Sequence, residues 1–253
     1  MQKITIPSLE AKSLDQTQIT YLDLLKKTIM NSVYHPNQQV TEGRMWPDFP
    51  ALSMIGIPRL DNIQKLALDC LFNNIKGDFI EAGIWKGGAI ALMAALLNIT
   101  DTENRKVIGV DSFEGIPPAK PDIYPADAAH IGCEKFEILL NNSLEEVEGY
   151  LIRLGLYENK NIQLIKGWFC DVLPELKKTN PTFALVRLDG DTYESTIQAL
   201  ENLEPHTSQG GYIIIDDYFS WTGCKKATDD YRAKMGITAP LTTVDWTCAY
   251  WKK

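Results

Sequence analysis

Apolar and polar positions change rhythm along this chain, and the change divides it. From Gln16 to Ser32 apolar residues recur at helical spacing (Ile19, Leu22, Leu25, Ile29), which predicts a helix. The next stretch, Tyr34-His-Pro-Asn and Gly43-Arg-Met-Trp-Pro-Asp-Phe-Pro50, is broken by prolines and a glycine and reads as irregular. Its aromatic content predicts a segment that packs over a site or against a partner subunit. Pro58 to Asn74 reads as a helix with Leu60, Ile63, Leu66, Ala67 and Leu71 on one face. From Gly77 the rhythm becomes regular: strands are predicted at 78–84, 106–111, 161–167, 183–189 and 211–217, and helices at 87–98, 133–154, 171–177, 192–203 and 223–236. Such alternation means a parallel sheet with helices on both faces. The tail from Leu241 to Trp251, β-branched and aromatic, predicts a hairpin or an antiparallel edge strand. Residues 1–60 are therefore expected to form a helical and irregular extension, a lid or oligomer contact, and 61–253 one α/β domain.

Composition narrows this picture. At 253 residues and 45% hydrophobic, the chain can bury one sizeable core, and two full domains are not expected. A net charge of −8 and a pI near 5.0 leave no basic field to neutralise phosphates, which argues against a nucleic-acid binder. Five cysteines (Cys70, Cys133, Cys170, Cys224, Cys248) without CxxC spacing read as free thiols in a reducing compartment. Met1-Gln-Lys-Ile-Thr-Ile-Pro carries no long apolar run, so neither a signal peptide nor a membrane span is expected. A cytoplasmic enzyme fits these bounds.

The apolar runs end in acids. Phe183-Ala-Leu-Val-Arg-Leu-Asp189-Gly-Asp191 and Gly211-Tyr-Ile-Ile-Ile-Asp216-Asp217 each deliver carboxylates to the carboxyl edge of a buried parallel strand, where ligands bind in an open sheet. Carboxylates this close repel one another unless a cation sits between them. Asp189, Asp216 and Asp217 therefore read as ligands for Mg²⁺ or another hard cation, with positions left for water and substrate oxygens. Asp191 reads instead as the N-cap of the helix beginning near Thr192. The histidines (His35, His130, His206) are isolated and suggest no zinc site. His130, in the proline-rich loop from Asp111 to Gly132 that reads as a candidate lid, is the one to test.

Upstream, Glu81-Ala-Gly83-Ile-Trp-Lys-Gly87-Gly88 runs from a strand into a glycine-rich turn without GxGxxG spacing. That suits a cofactor lacking a pyrophosphate better than NAD. Glu81 is placed to accept from an ammonium or a bridging water, and Asp111, at the next strand end, to hold both ribose hydroxyls. Trp168 either stacks near an adenine or edges the core. Ser143 reads as a helix cap, with Glu146 completing a capping box.

These segments, namely Glu81-Ala-Gly-Ile-Trp-Lys-Gly-Gly, Asp111-Ser-Phe-Glu-Gly-Ile-Pro-Pro, Tyr124-Pro-Ala-Asp-Ala, Lys166-Gly-Trp-Phe, Arg187-Leu-Asp-Gly-Asp-Thr-Tyr-Glu-Ser-Thr, Gly210-Gly-Tyr-Ile-Ile-Ile-Asp-Asp-Tyr and Asp245-Trp-Thr, resemble the macrocin O-methyltransferase family. Its members methylate sugar hydroxyls on macrolide and aminocoumarin antibiotics and similar products. The resemblance runs from about Tyr21 to the C-terminus and includes Arg59-Leu-Asp-Asn; Ala82 departs from it, where threonine is expected. It implies a Rossmann-like class I methyltransferase fold with a mostly parallel seven-stranded sheet, using S-adenosylmethionine and Mg²⁺. It places the cofactor against Ser53, Met54, Glu81, Ala82, Gly83, Ile84, Trp85, Asp111, Ser112, Ser143 and Asp171. It makes Asp189, Asp216 and Asp217 the metal ligands, and Asp189, touching metal and substrate together, the expected general base. It also implies a small hydroxylated acceptor bearing a sugar, and a homodimer or larger homo-oligomer.

Other classes are weaker. Leu188-Asp-Gly-Asp-Thr192 looks superficially like the Asp-x-Asp-x-Thr motif of haloacid-dehalogenase-like phosphatases, but the threonine comes one position early and too little chain follows. A catalytically silent cofactor-binding subunit would have no use for Asp189, Asp216 and Asp217. A catechol-type O-methyltransferase remains a competitor, because the same metal logic serves any adjacent pair of oxygens.

Overall fold

The computed structural model describes residues 13–43, 51–100, 102, 104–130, 140–157 and 161–253. Among these residues one sheet is built from β1 (Asp78–Ala82), β2 (Val107–Asp111), β3 (Ile162–Lys166), β4 (Phe183–Leu188), β5 (Thr207–Ile215), β6 (Thr242–Thr243) and β7 (Ala249–Lys252). Its order is β3-β2-β1-β4-β5-β7-β6. β1 to β5 pair in parallel, and β7 runs antiparallel to both β5 and β6. The helices are α1 (Gln16–Ile29), α2 (Gln38–Thr41), α3 (Gly56–Phe72), α4 (Gly88–Ile99), α5 (Leu144–Arg153), α6 (Phe169–Lys178), α7 (Tyr193–Leu203) and α8 (Thr222–Met235), with 3-10 turns at Pro125–His130 and Glu204–His206.

Local chemistry sets several of these boundaries. Asp15 opens α1 through a capping box with Gln18, and Ser143 opens α5 through one with Glu146. The two-residue period of the strands sorts their side chains. Phe79, Leu185 and Ile214 pack with α1, α3 and α4, while Ile80, Val186 and Ile213 pack with α7 and α8. α4 is buried from Gly88 to Leu97 because the sheet lies on one side of it and α1 and α3 on the other. The same alternation continues to the strand ends. Glu81, Arg187 and Asp216 thus extend the face of Phe79, Leu185 and Ile214, and Glu81 lies in register with Arg187.

The predicted alternation is observed, and so is the antiparallel tail. β5 begins at Thr207, earlier than the expected Gly211, because the polar Thr207-Ser-Gln-Gly segment joins the ladder across a register shift opposite Phe183. The helix expected from 133 is seen from Leu144; residues 131–139, with Cys133, and residues 44–50 lie outside the described residues. α1 buries Leu22, Leu25 and Ile29 in the same core as α3 and α4, so this part of the expected extension packs on the α/β domain itself. Cys70, Cys170, Cys224 and Cys248 are free thiols. Among the described residues no helix is long and apolar enough to cross a membrane.

Candidate active site

A cleft of about 600 Å³ opens over the carboxyl ends of β1, β2, β4 and β5, at the point where strand order reverses between β1 and β4. Its floor is the turn after β1. Gly83 has φ +89, and a Cβ there would meet the Asp189 carbonyl oxygen at 1.9 Å, so the turn can run this close to β4 only with glycine. Asp111 pins the turn from β2: its Oδ2 accepts from the Ile84 and Trp85 amides at 2.8 and 3.1 Å, and its Oδ1 from the Phe113 amide at 2.8 Å. Oδ2 is thereby saturated, and Oδ1 keeps one acceptor position for a ligand.

Arg187, buried on β4, organises the acids around it. It pairs with Glu81, with Asp189 Oδ2 at 2.9 Å and with Asp216 Oδ1 at 2.5 Å. Arg59, reaching from α3, takes the other oxygen of Asp216 and lies 3.1 Å from Asp245 Oδ2. Burial alone would raise the pKa of Asp216, but the two guanidiniums outweigh it and hold the carboxyl below its ordinary value. The neighbours behave oppositely. Burial pushes Glu81 up to about 8 despite Arg187, raises Asp189 with help from Asp216, and raises Asp217 with help from Asp191 and Asp189. Asp191 is pushed up to about 7 by burial and by the charges of Asp189 and Asp216.

Asp189, Asp191 and Asp217 each offer an oxygen within 4.8 Å of the others. Asp216 stands beside this trio with both oxygens engaged by arginine. Asp191 is not the helix cap that its position suggested: Thr192 caps α7, its hydroxyl accepting from the Ser195 amide at 3.0 Å, and Asp191 at φ +56 turns toward the acids. The cap moved one residue because Asp and Thr are both competent caps and the left-handed Asp191 cannot adopt the extended N-cap backbone. Asp217 Oδ2 and Glu81 Oε2 are buried without a hydrogen-bond partner. Crowded acids with raised pKa values and an orphaned carboxylate oxygen fit a hard divalent cation.

Of the expected cofactor contacts, Ser53, Met54, Glu81, Gly83, Ile84, Trp85, Asp111 and Ser112 line the cleft, joined by Trp168, Phe169 and Cys170. Ala82 is fully buried, while Ser143 and Asp171, at the starts of α5 and α6, are not among the lining residues. An anionic floor beneath apolar walls fits a cationic adenosyl sulfonium. Sequence reasoning did not single out the charge partners Arg59 and Arg187. An arginine inside an apolar strand is a signal for the latter, since a buried guanidinium requires acids. His206 Nδ1 lies 3.1 Å from the Pro181 carbonyl, away from the cleft lining, and the side chain of His130 is outside the described residues.

A sheet of this order, with a glycine turn after β1 and carboxylates at the ends of β1, β2, β4 and β5, defines a class I S-adenosylmethionine-dependent methyltransferase. The solved structure of the O-methyltransferase NovP superposes with a TM-score of 0.87 and 40% identity, over 93% of this chain and 99% of that one. The macrocin-O-methyltransferase (TylF) family model matches residues 35–253, and the chain belongs to that family of O-methyltransferases. The demethyldecarbamoylnovobiocin O-methyltransferase of Streptomyces niveus is 38% identical over 260 residues, 96% of this chain and 97% of that protein. The 8-demethyl-8-(2,3-dimethoxy-alpha-L-rhamnosyl)-tetracenomycin-C 4'-O-methyltransferase of Streptomyces olivaceus is 38% identical over 247 residues, 92% of each chain.

Proposed function

We propose that this chain transfers the methyl group of S-adenosylmethionine to a sugar hydroxyl of a glycosylated natural product, with Mg²⁺ held by Asp189, Asp216 and Asp217 and with Asp191 as a fourth carboxylate in reach. The observation that carries the reading is the convergence of Asp189, Asp191 and Asp217 at the ends of β4 and β5, with Asp216 beside them on its two arginines and the glycine turn of β1 in the same cleft. The names of the two curated relatives favour a glycoside over a catechol as acceptor.

When bound, S-adenosylmethionine supplies an electrophilic methyl, and the cation lowers the pKa of a hydroxyl whose ordinary value lies far above 7. The protein's own residues do the rest. Asp189 is held by Arg187 on Oδ2 and faces the cleft, where it takes the hydroxyl proton as the oxygen attacks. Glu81 accepts from the cofactor ammonium through its unpartnered Oε2. Asp111 accepts from a ribose hydroxyl with the remaining lone pair of Oδ1. Arg187 ties both ends together, so that cofactor and base keep a fixed spacing.

The test is methyl transfer from isotopically labelled S-adenosylmethionine to demethyldecarbamoylnovobiocin and to the rhamnosyl tetracenomycin, in Mg²⁺ and in EDTA. Labelled glycoside in Mg²⁺ and none in EDTA is expected. Turnover indifferent to EDTA would remove the metal from the mechanism. Transfer to a catechol but to neither glycoside would hand the site to the phenol reading.

A further inference from the structure

One wall of the cleft has no role in the reading above: the turn between β6 and β7. Trp246 sits on it, lines the cleft, and is 51% exposed. A structural tryptophan recovers its large apolar surface by packing, whereas this one presents it to the cavity. The turn beneath it is firmly held. Asp245 Oδ1 accepts from the Thr247 and Cys248 amides at 3.0 and 2.9 Å, and Asp245 Oδ2 lies 3.1 Å from Arg59 Nε. The Thr247 hydroxyl donates to the Asp216 carbonyl at 2.8 Å. Ser220 Oγ lies 2.6 Å from that hydroxyl and 3.1 Å from Asp217 Oδ1. The turn that carries Trp246 is thus tied to the acidic pair at the end of β5.

Sheet order says which ligand it meets. The cofactor turn and Asp111 belong to β1 and β2, on one side of the reversal point, and β5 and β7 lie on the other. Trp221, which also lines the cleft, is already committed to a hydrogen bond with Asp191. We infer that Trp246 is the platform on which the acceptor's pyranose ring lays its apolar C–H face, presenting a hydroxyl to Asp189 and Asp217. The inference rests on the glycoside acceptor proposed above. It makes Trp246 a specificity-determining residue with no part in cofactor binding or proton transfer.

Trp246→Ala and Trp246→Phe are compared with the unaltered chain on the same two glycosides, with S-adenosylmethionine affinity measured by calorimetry. The alanine variant should raise the acceptor KM roughly tenfold or more, with kcat within about twofold and cofactor affinity unchanged, and phenylalanine should restore most of the loss. An acceptor KM unmoved by Trp246→Ala overturns the platform, as does an equal loss of cofactor affinity. A loss confined to one of the two acceptors would assign the ring to the aglycone and overturn the pyranose assignment. If the unaltered chain methylates neither glycoside, the proposed function falls and this inference with it. Turnover that ignores Trp246→Ala sinks the inference alone.

Discussion

Replacing Asp127 by alanine tests how the loop after β2 is held. The proline-rich segment that reads as a lid is tied to α7 at three points. Lys120 Nζ lies 2.7 Å from Glu194 Oε1, the Tyr124 and Tyr193 rings stand 5.7 Å apart, and the buried Asp127 accepts from the Tyr193 and Glu194 amides at 2.6 and 3.0 Å. The last contact is an N-cap donated by another segment. It satisfies two first-turn amides and sets a negative charge at the positive end of the helix dipole. α8 closes the joint from the other side, since a Cβ on Gly223 would meet Asp127 Oδ1 at 2.5 Å. Losing two charge-assisted hydrogen bonds at a buried helix terminus should cost about 2–3 kcal/mol. For a chain of this size that is a fall of about 5–10 °C in Tm. Asp127→Asn keeps one accepting oxygen and should recover about half. Scanning calorimetry reads the Tm, and limited proteolysis reads whether cleavage between 113 and 126 accelerates in the alanine variant. An Asp127→Ala protein melting within about 1 °C of the parent, with unchanged cleavage, would refute the trans-cap.

Other expectations follow from the same geometry. Asp217→Asn should weaken Mn²⁺ binding, followed by paramagnetic resonance, by roughly tenfold or more while leaving cofactor affinity intact, because each carboxylate contributes charge to a crowded site. Asp191→Asn should cost less; a loss as large as that of Asp217→Asn would put Asp191 in the place given to Asp216. Glu81→Gln removes the carboxyl group that the proposed function sets opposite the cofactor ammonium and should weaken S-adenosylmethionine binding roughly tenfold or more, so an unchanged dissociation constant would move the ammonium elsewhere. Gly83→Ala forces a methyl against the Asp189 carbonyl and a left-handed backbone on alanine. It should lower cofactor affinity and Tm together, and a variant normal in both would show that the turn yields freely.

The sheet was legible because its information is local. Apolar runs such as Tyr212 to Ile215 and acid-terminated ends such as Leu188-Asp189 write the parallel strands and their carboxyl edge into consecutive residues. What escaped depends on contacts between distant segments. Asp127 reaches α7 across 66 residues, Arg187 reaches Glu81 across 106, and Arg59 reaches Asp216 across 157. No periodicity encodes such pairs. The misplaced cap of α7 is a different failure, a choice between adjacent cap-competent residues that the left-handed turn at Asp191 decides.

Those long-range pairs also leave the site with more acids than arginines. Five carboxylates, from Glu81, Asp189, Asp191, Asp216 and Asp217, face the guanidiniums of Arg59 and Arg187, and Arg59 is shared with Asp245. Two positive charges cannot discharge five negative ones in a buried setting. Asp216, which takes both arginines, is the acid held below its ordinary pKa, while Glu81, Asp189, Asp191 and Asp217 are pushed upward. The arginines fix the acids in place without satisfying all of them, so the excess acids favour their protonated forms until further positive charge arrives. On the proposed reading, a divalent cation and the net-positive sulfonium cofactor would supply the charge that the two arginines do not. Arg187 touches Glu81 on one side and Asp189 and Asp216 on the other, so it would couple the proposed cofactor and metal positions.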